Sequence, residues 1–366
     1  MGKKYNLNRF PINGVGEETL ALIVFLCMTM LPFIEIFTRF FNFNSIPASQ
    51  VLVQHFTLWI GFLGAIIATR RNKLLALTRD SIFQKEVGLS LGKWIAKVTT
   101  FLVLVSLALG SWELVKVEME YPIDIAPYIP RWFAQAIMPI SFGIMAVFVY
   151  FNSYQKHFHR LSLIFIGLLL SLNGLTEWMF DVLPLVYIGV FVIILSIFHG
   201  APIFVGLGGL AILMFWSDYT PISAIPAEAY RIVVSPTLPT IPLFTLAGYL
   251  LAESRASERL VNVFRTLFGW IPGGTPVIIV LLCGFFTALT GGSGVTILAL
   301  GGLLLPMLLK DGYSRSFSLG LITVSGSIGL LFPPSLPLII YGVTAGVSVK
   351  EVFIGGLIPG LLLIIL

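Results

Sequence analysis

The sequence TGGSGVT, from Thr290 to Thr296, interrupts an apolar segment that carries no charged residue from 276 to 309. Basic residues flank this segment, with Arg265 before it and Lys310 after it. Because basic residues collect on the cytoplasmic side of membrane proteins, we expect both ends of the segment on that side. Two full spans need about 40 residues, whereas this segment has 34. The sequence therefore predicts a re-entrant helical hairpin, whose irregular tip must be buried in protein or line a wet cavity.

A second interrupted segment follows from Ser316 to Thr344 and contains SGSIGLLFPPS, from Ser325 to Ser335. Its two consecutive prolines remove two amide donors and leave carbonyls of the preceding turn without helical partners. Secondary transporters use such carbonyls and half-helix ends to hold a cation and an anionic substrate. Either break alone is also explained by close helix packing or by a structural kink. Two breaks in adjacent uncharged segments favour a binding site.

The ligand atoms available in these two segments are carbonyl and hydroxyl oxygens. Neither segment contains Asp or Glu, so a proton relay through carboxylates is excluded there. Oxygen ligands without carboxylates suit a hard monovalent cation such as sodium. We find no general acid–base pair, no His/Cys metal spacing and no phosphate-binding loop, so the chain is not expected to be an enzyme or to need another cofactor or metal.

The composition indicates a polytopic helical membrane protein. Of 366 residues, 57% are hydrophobic and 11% charged, and the mean hydropathy is +0.97. A soluble domain is about 25% charged, so a soluble enzyme is excluded. The net charge of +5 reflects basic loops beside the membrane lipid rather than binding of nucleic acid. The two cysteines, Cys27 and Cys283, lie in apolar runs and indicate no disulfide framework.

Apolar stretches before the hairpin predict seven spans. They lie at about 19–38, 50–69, 98–115, 132–151, 161–175, 182–198 and 203–216. Alternation of these spans places twelve basic residues on one side and three on the other, so we expect the N-terminus in the cytoplasm. The basic stretch from Lys85 to Lys97 predicts a helix on the membrane surface.

Several motifs resemble those of tripartite ATP-independent periplasmic (TRAP) transporters. The large-subunit motifs cover about residues 180–366 and are PTIPLFTLAG (Pro239–Gly248), TGGSGVT (Thr290–Thr296), KDGY (Lys310–Tyr313), the stretch Ser325–Pro337 and GGLIPG (Gly355–Gly360). The first 155 residues resemble the small subunit by weaker motifs, which are RFFN (Arg39–Asn42) and Trp59 with Gly64 before the basic pair at 70–71.

The resemblance implies an all-α membrane protein with three parts. These are a four-helix small-subunit-like module at 1–155, a connecting helix at 156–181, and the first inverted repeat of an elevator-type transport domain at 182–366. The family normally has two such repeats, and this chain ends at Leu366 inside an apolar run. We therefore expect it to be C-terminally incomplete.

The implied function is that of a permease in a sodium-coupled importer of organic acids such as carboxylates. A periplasmic substrate-binding protein would deliver the substrate to this multi-pass protein of the bacterial inner membrane. The alternative is a non-transporting scaffold or assembly subunit, or a truncated inactive product. Carried over from the family, the sodium ligands are Ser293 and main-chain carbonyls around Gly329, Phe332 and Pro334. The candidate substrate contacts are the hydroxyls of Thr296 and Ser335.

Overall fold

The backbone packs as two compact units, from Met1 to Val234 and from Ser235 to Leu366. The computed structural model describes residues 15–44, 46–77, 86–152, 183–254, 256–270 and 273–365. Within these ranges five helical segments are long and apolar enough to cross a membrane, and they are Gly16–Phe40, Ser49–Arg70, Gly92–Glu120, Arg131–Phe151 and Arg315–Ala345. The predicted all-α polytopic membrane fold is confirmed.

The described part of the first unit is mostly helical and contains one short strand pair. Its elements are α1 (Val15–Phe40), α2 (Ser49–Arg70), α3 (Glu86–Glu120), β1 (Asp124–Ala126), β2 (Ile129–Pro130), α4 (Arg131–Gln135), α5 (Ile137–Asn152), α6 (Leu183–Phe198), α7 (Ile203–Ser217) and α8 (Ala224–Val233). The predicted spans correspond to α1, α2, α3, α5, α6 and α7. The predicted span at 161–175, in the connecting helix at 156–181, lies outside the described residues.

Helices α1, α2, α3 and α5 surround one apolar core, as expected for a four-helix module. Its fully buried members include Leu58 of α2, Leu104 of α3 and Met138 of α5. Helix α8 is joined to this group by a hydrogen bond of 2.8 Å between Tyr230 Oη and His55 Nε2 of α2. The other ring nitrogen of His55 lies 2.7 Å from the Val51 carbonyl oxygen. Both ring nitrogens of this buried imidazole are therefore partnered.

The prediction of a separate surface helix from Lys85 to Lys97 is wrong over the described residues. Helix α3 continues without a break from Glu86 to Glu120, and the predicted third span is its C-terminal part. No proline interrupts this stretch, and Ala96 is buried in a core cluster with Val205 of α7. Apolar residues of the basic stretch thus pack on protein, so this part of the chain extends the transmembrane helix.

The second unit contains the predicted hairpin and the predicted broken helix, and both are confirmed. Its helices are α9 (Thr240–Glu253), α10 (Ala256–Phe268), α11 (Gly274–Thr290), α12 (Ser293–Lys310), α13 (Arg315–Ile328), α14 (Leu336–Ala345) and α15 (Val349–Ile365), with a 3-10 turn at Gly329–Leu331 between α13 and α14. The hairpin arms α11 and α12 have 17 and 18 residues. At 1.5 Å per residue each arm is about 26 Å long, shorter than the ~30 Å of a bilayer core.

Apolar side chains from both hairpin arms and from α13 form the core of the second unit. Ile279, Leu282 and Phe286 contribute from α11, and Leu300 and Leu304 contribute from α12, all without solvent exposure. The core is continuous with Ile322 of α13. The hairpin and the first half of the broken helix are therefore packed together as one body.

Candidate functional site

The tip of the hairpin is a two-glycine turn. Helix α11 ends at Thr290, Gly291 adopts a left-handed conformation with φ of +67°, and Gly292 is extended before Ser293 begins α12. A Cβ at Gly291 would overlap the side chain of Leu336, the first residue of α14. Glycine is required here both by the positive φ and by this close approach. The tip of the hairpin therefore lies against the start of the second half-helix.

The break between the two half-helices is a short irregular segment. After the 3-10 turn the chain is non-helical from Phe332 to Ser335. The Phe332 amide donates to the Gly329 carbonyl at 3.2 Å, and the Ser335 hydroxyl donates to the Leu330 carbonyl. Within the described residues no hydrogen bond engages the carbonyl oxygens of Phe332 and Pro334. Both carbonyl oxygens therefore have unused acceptor capacity.

Two glycines bring the broken helix onto the hairpin. A Cβ at Gly329 would overlap the Gly284 carbonyl oxygen and would lie 2.6 Å from the Cβ of Thr287. A Cβ at Gly326 would lie 3.5 Å from the Ser293 carbonyl oxygen. The approach at Gly329 requires the absence of a side chain. At Gly326, by contrast, the nearest atom is Cγ1 of Ile297, 3.2 Å away, and the Ser293 oxygen lies at an ordinary packing distance. The break and the hairpin tip therefore form one cluster.

Three threonine hydroxyls are buried inside this cluster. Thr287 Oγ1 donates to the Gly326 carbonyl at 3.0 Å and lies 2.7 Å from the Thr296 hydroxyl. The Thr290 hydroxyl lies 3.1 Å from that of Thr296. At most 1% of each threonine is exposed. The chain of hydroxyls joins both arms of the hairpin to the end of α13.

Ser325, which immediately precedes Gly326 on α13, differs from these threonines. Its hydroxyl is buried but has no hydrogen-bond partner within the part of the chain that the structure describes. A buried hydroxyl without a partner is unfavourable by about 1–3 kcal/mol. It is therefore a further oxygen in this region that could accept or donate to a ligand.

All of the residues proposed from the sequence lie in the second unit, at the tip or at the break. Ser293 is half-buried at the start of α12, while Gly329, Phe332 and Pro334 lie at the break. Their roles as sodium ligands stay predictions. Thr296 and Ser335 are fully buried and their hydroxyls are engaged in the hydrogen bonds described above. Contact with a substrate, which also stays a prediction, would require those hydroxyls to leave these bonds.

Sequence reasoning did not single out Thr287 and Ser325 as parts of the site. Thr287 lies outside the two irregular stretches that the sequence indicated, and Ser325 is the first residue of the second stretch but was not proposed as a ligand. Thr287 is one turn before the tip, on the same face of α11 as Gly291. The sequence signal that could have identified Thr287 is a hydroxyl group one turn from a predicted helix end, inside an uncharged segment.

Helix ends supply the electrostatic character of the cluster. The C-terminal end of α13 directs carbonyl oxygens toward the break, whereas α12 and α14 begin at the tip and at the break. A helix C-terminus carries a partial negative charge and an N-terminus a partial positive charge. The arrangement offers oxygen ligands to a cation and two amide-rich helix ends to an anion.

Two family models match separate parts of the chain. The model described as "Tripartite ATP-independent periplasmic transporter, DctM component" matches residues 188–366. The model described as "Tripartite ATP-independent periplasmic transporters, DctQ component" matches residues 28–156. The hairpin and the broken helix both lie within the first of these matches.

Curated relatives carry the same family name. The chain is 30% identical to the isethionate TRAP transporter permease protein DctMQ of Oleidesulfovibrio alaskensis over 324 residues, covering 86% of this chain and 50% of the relative. It is 33% identical to the C4-dicarboxylate TRAP transporter large permease protein DctM of Vibrio cholerae, covering 44% of this chain and 36% of the relative. It is 40% identical to the ectoine TRAP transporter large permease protein TeaC of Halomonas elongata, covering 36% and 30%. The chain thus spans half or less of the length of these relatives.

Proposed function

The chain belongs to the tripartite ATP-independent periplasmic transporter family, with small-subunit and large-subunit regions fused in one polypeptide. From this premise we propose that it acts as the permease of a sodium-coupled importer of organic acids. One observation carries the proposal. The hairpin tip and the break of the α13–α14 helix form a single cluster with free carbonyl oxygens at Phe332 and Pro334. The reaction is binding and conformational exchange, without catalysis of a chemical step.

The chemistry of the cluster supports sodium as the coupling ion. Its oxygens come from main-chain carbonyls and from Ser and Thr hydroxyls, and no acidic residue occurs between 266 and 309 or between 316 and 349. A cation held by neutral oxygens needs no deprotonation of a ligand, so binding is not linked to proton release at the site. We propose that Ser293 and the carbonyls of Gly329, Phe332 and Pro334 hold the ion. No other cofactor is proposed.

The substrate is proposed to be an organic acid. The relatives are named for isethionate, C4-dicarboxylates and ectoine. The N-terminal ends of α12 and α14 meet near the cluster and would favour an anionic group by their dipoles. Thr296 and Ser335, close to those two helix starts, are the proposed contacts.

The remaining parts of the proposal concern organisation and partners. We propose a small-subunit region at 1–155, a connecting helix at 156–181 and a partial transport domain at 182–366 that moves as an elevator. The protein would lie in the bacterial inner membrane with its N-terminus in the cytoplasm, because basic residues favour that side. It would receive substrate from a periplasmic binding protein.

Selective stabilisation by sodium tests the proposed ion site. The second unit contains one buried thiol, Cys283, while Cys27 of the first unit is exposed. In a Cys27→Ala background, a thiol-reactive fluorophore therefore reports thermal opening of the second unit in the purified full chain. Sodium at 100 times its dissociation constant should stabilise the folded unit by about 2.7 kcal/mol. Equal stabilisation by sodium and potassium at matched ionic strength would refute sodium as the ligand.

Variants locate the stabilisation at the cluster. Ser293→Ala removes a proposed ligand, and Pro334→Ala changes the backbone beside one, so both should reduce the stabilisation by sodium. Ser327→Ala is the matched control, because Ser327 is an exposed serine on the neighbouring α13. If all three variants respond to sodium as the parent does, the ion binds elsewhere.

A further inference from the structure

Helix α15 approaches the break through two glycines that are four residues apart. A Cβ at Gly356 would lie 2.7 Å from the Leu331 carbonyl oxygen and 3.0 Å from Cδ1 of Leu338. A Cβ at Gly360 would lie 2.9–3.3 Å from three ring carbons of Phe332. Residues four apart share one face of a helix, so a single side-chain-free face of α15 contacts two consecutive residues of the break.

The atoms that contact the two glycines differ in how easily they could move to make room for a side chain. The neighbour of Gly356 is a main-chain oxygen, and its peptide also carries the Phe332 amide that donates to the Gly329 carbonyl. Movement of this peptide would alter the 3-10 turn itself. The neighbour of Gly360 is the far end of an aromatic ring, which could rotate but only together with the rest of the Phe332 side chain. The contact at Gly356 is therefore the stiffer one.

We infer that Gly356 and Gly360 are positioning residues for the cation site proposed above, and the inference rests on that proposed function. The backbone of α15 holds the Leu331 carbonyl and the Phe332 ring from one side, while α11 holds Gly329 from the other. With both sides fixed, the free carbonyl of Phe332 keeps one orientation. Neither glycine touches the ion, and each acts through the peptide that it supports.

Ordinary helix packing would give a different result from positioning. If the glycines serve only to let α15 pack closely, a larger residue there lowers the stability of the unit and leaves its affinity for sodium unchanged. If they position the carbonyls, the larger residue also weakens sodium binding. Affinity for the ion, measured separately from stability without the ion, therefore distinguishes the two roles.

The test determines the sodium dissociation constant of the full chain from the rise of its melting temperature with sodium concentration, with potassium as the balancing ion. Cys283 again reports opening of the second unit in the Cys27→Ala background. Gly356→Ala is expected to raise this dissociation constant about tenfold, corresponding to a loss of ~1.4 kcal/mol in binding. Gly355→Ala is the matched control, because a Cβ at this adjacent glycine meets no atom within 4 Å, and its sodium response should equal that of the parent.

A second pair of variants keeps the test decisive if Gly356→Ala does not fold. Gly360→Ala should also weaken sodium binding, and Phe332→Leu should suppress that effect by shortening the side chain that the added methyl group would otherwise push. The double variant should therefore match Phe332→Leu alone, which is a non-additive result diagnostic of direct contact.

The outcomes separate failure of this inference from failure of the proposed function. If the parent chain shows no stabilisation specific to sodium, the proposed ion site fails and the inference fails with it. If the parent responds to sodium and both Gly356→Ala and Gly360→Ala keep the parent's dissociation constant, the positioning role is refuted and the proposed ion site stands. A lower melting temperature in potassium together with an unchanged sodium response would assign both glycines to packing.

Discussion

Substitution of Thr287 by valine should destabilise the second unit although the two side chains have nearly the same shape. The change removes the hydroxyl that donates to the Gly326 carbonyl at 3.0 Å and lies 2.7 Å from the Thr296 hydroxyl. Both partners would stay in a fully buried site, where no water replaces the lost group. The hairpin arm α11 would then lose its hydrogen bond to α13.

The expected magnitude follows from the number of groups left without a partner. A buried polar group that loses its hydrogen bond is destabilised by about 1–3 kcal/mol, whereas interhelical hydrogen bonds in membrane proteins average about 0.6 kcal/mol and reach ~1.7 kcal/mol. The Gly326 carbonyl loses its donor, while Thr296 retains its contact with Thr290. We therefore expect a loss of about 1–2 kcal/mol, or about 3–8 °C in the melting temperature of a unit of this size.

The assay follows the opening of the second unit through Cys283, with Cys27 replaced by alanine. Thr323→Val is the matched control, because Thr323 is exposed on α13 and its hydroxyl bonds only to the Leu319 carbonyl of its own helix, at 2.7 Å. That variant should melt within about 2 °C of the parent, since surface substitutions usually change stability by less than 0.5 kcal/mol. Equal melting temperatures for Thr287→Val and Thr323→Val would refute the role of the hydroxyl in joining the hairpin to α13.

Two further predictions concern the hairpin tip and the first unit. Gly291→Ala should destabilise the second unit by more than about 2 kcal/mol, because the left-handed backbone costs about 1 kcal/mol and the added Cβ overlaps α14. Gly294→Ala is the control and should be neutral in the Cys283 melting assay, because a Cβ at Gly294 meets no atom within 4 Å. A Gly291→Ala variant as stable as the parent would contradict the described tip. In the first unit, Tyr230→Phe should lower the free energy of unfolding by about 0.5–1.5 kcal/mol, because it removes the hydrogen-bond partner of His55. Chemical unfolding followed by near-UV circular dichroism measures this loss. The loss should disappear in a His55→Phe background, and an unchanged loss there would show that the two residues are uncoupled.

The hairpin and the broken helix were predictable because their signals are local. Glycines at 291 and 292 and prolines at 333 and 334 cannot continue a helix, whatever surrounds them. The missing charges from 276 to 309 indicated depth in the membrane. Each signal lies within the segment whose structure it determines, so one sequence was sufficient.

Elements whose structure depends on distant partners were not predicted correctly. The stretch from Lys85 to Lys97 has the composition of a surface helix, yet α3 continues through its described part because Ala96 packs with Val205, more than 100 residues away in sequence. The strand pair between α3 and α4 was not predicted either, and an ion pair of Arg131 with Glu118 connects the two helices that flank it. Composition of a segment does not specify which other segment will cover it.

The same limit applies to the candidate site. The irregular tip and break were identified and GGLIPG (Gly355–Gly360) was noted as a family motif, but the structure was needed to show that Thr287, Gly356 and Gly360 contact residues far from them in the chain. Their side chains, a small hydroxyl and two hydrogens, are common in membrane helices for packing alone. The geometry of the cluster is what separates these residues from other threonines and glycines.

The backbone character of the cluster has a consequence for how its residues would be found by mutagenesis. A carbonyl oxygen remains after any substitution of its own residue, so a scan that replaces Phe332 still leaves the Phe332 carbonyl in place. Substitution of Gly356, which contacts the peptide between Leu331 and Phe332, would move that oxygen. A functional map built from single substitutions would therefore detect the Ser293 hydroxyl and the residues around the break more readily than the carbonyl of Phe332.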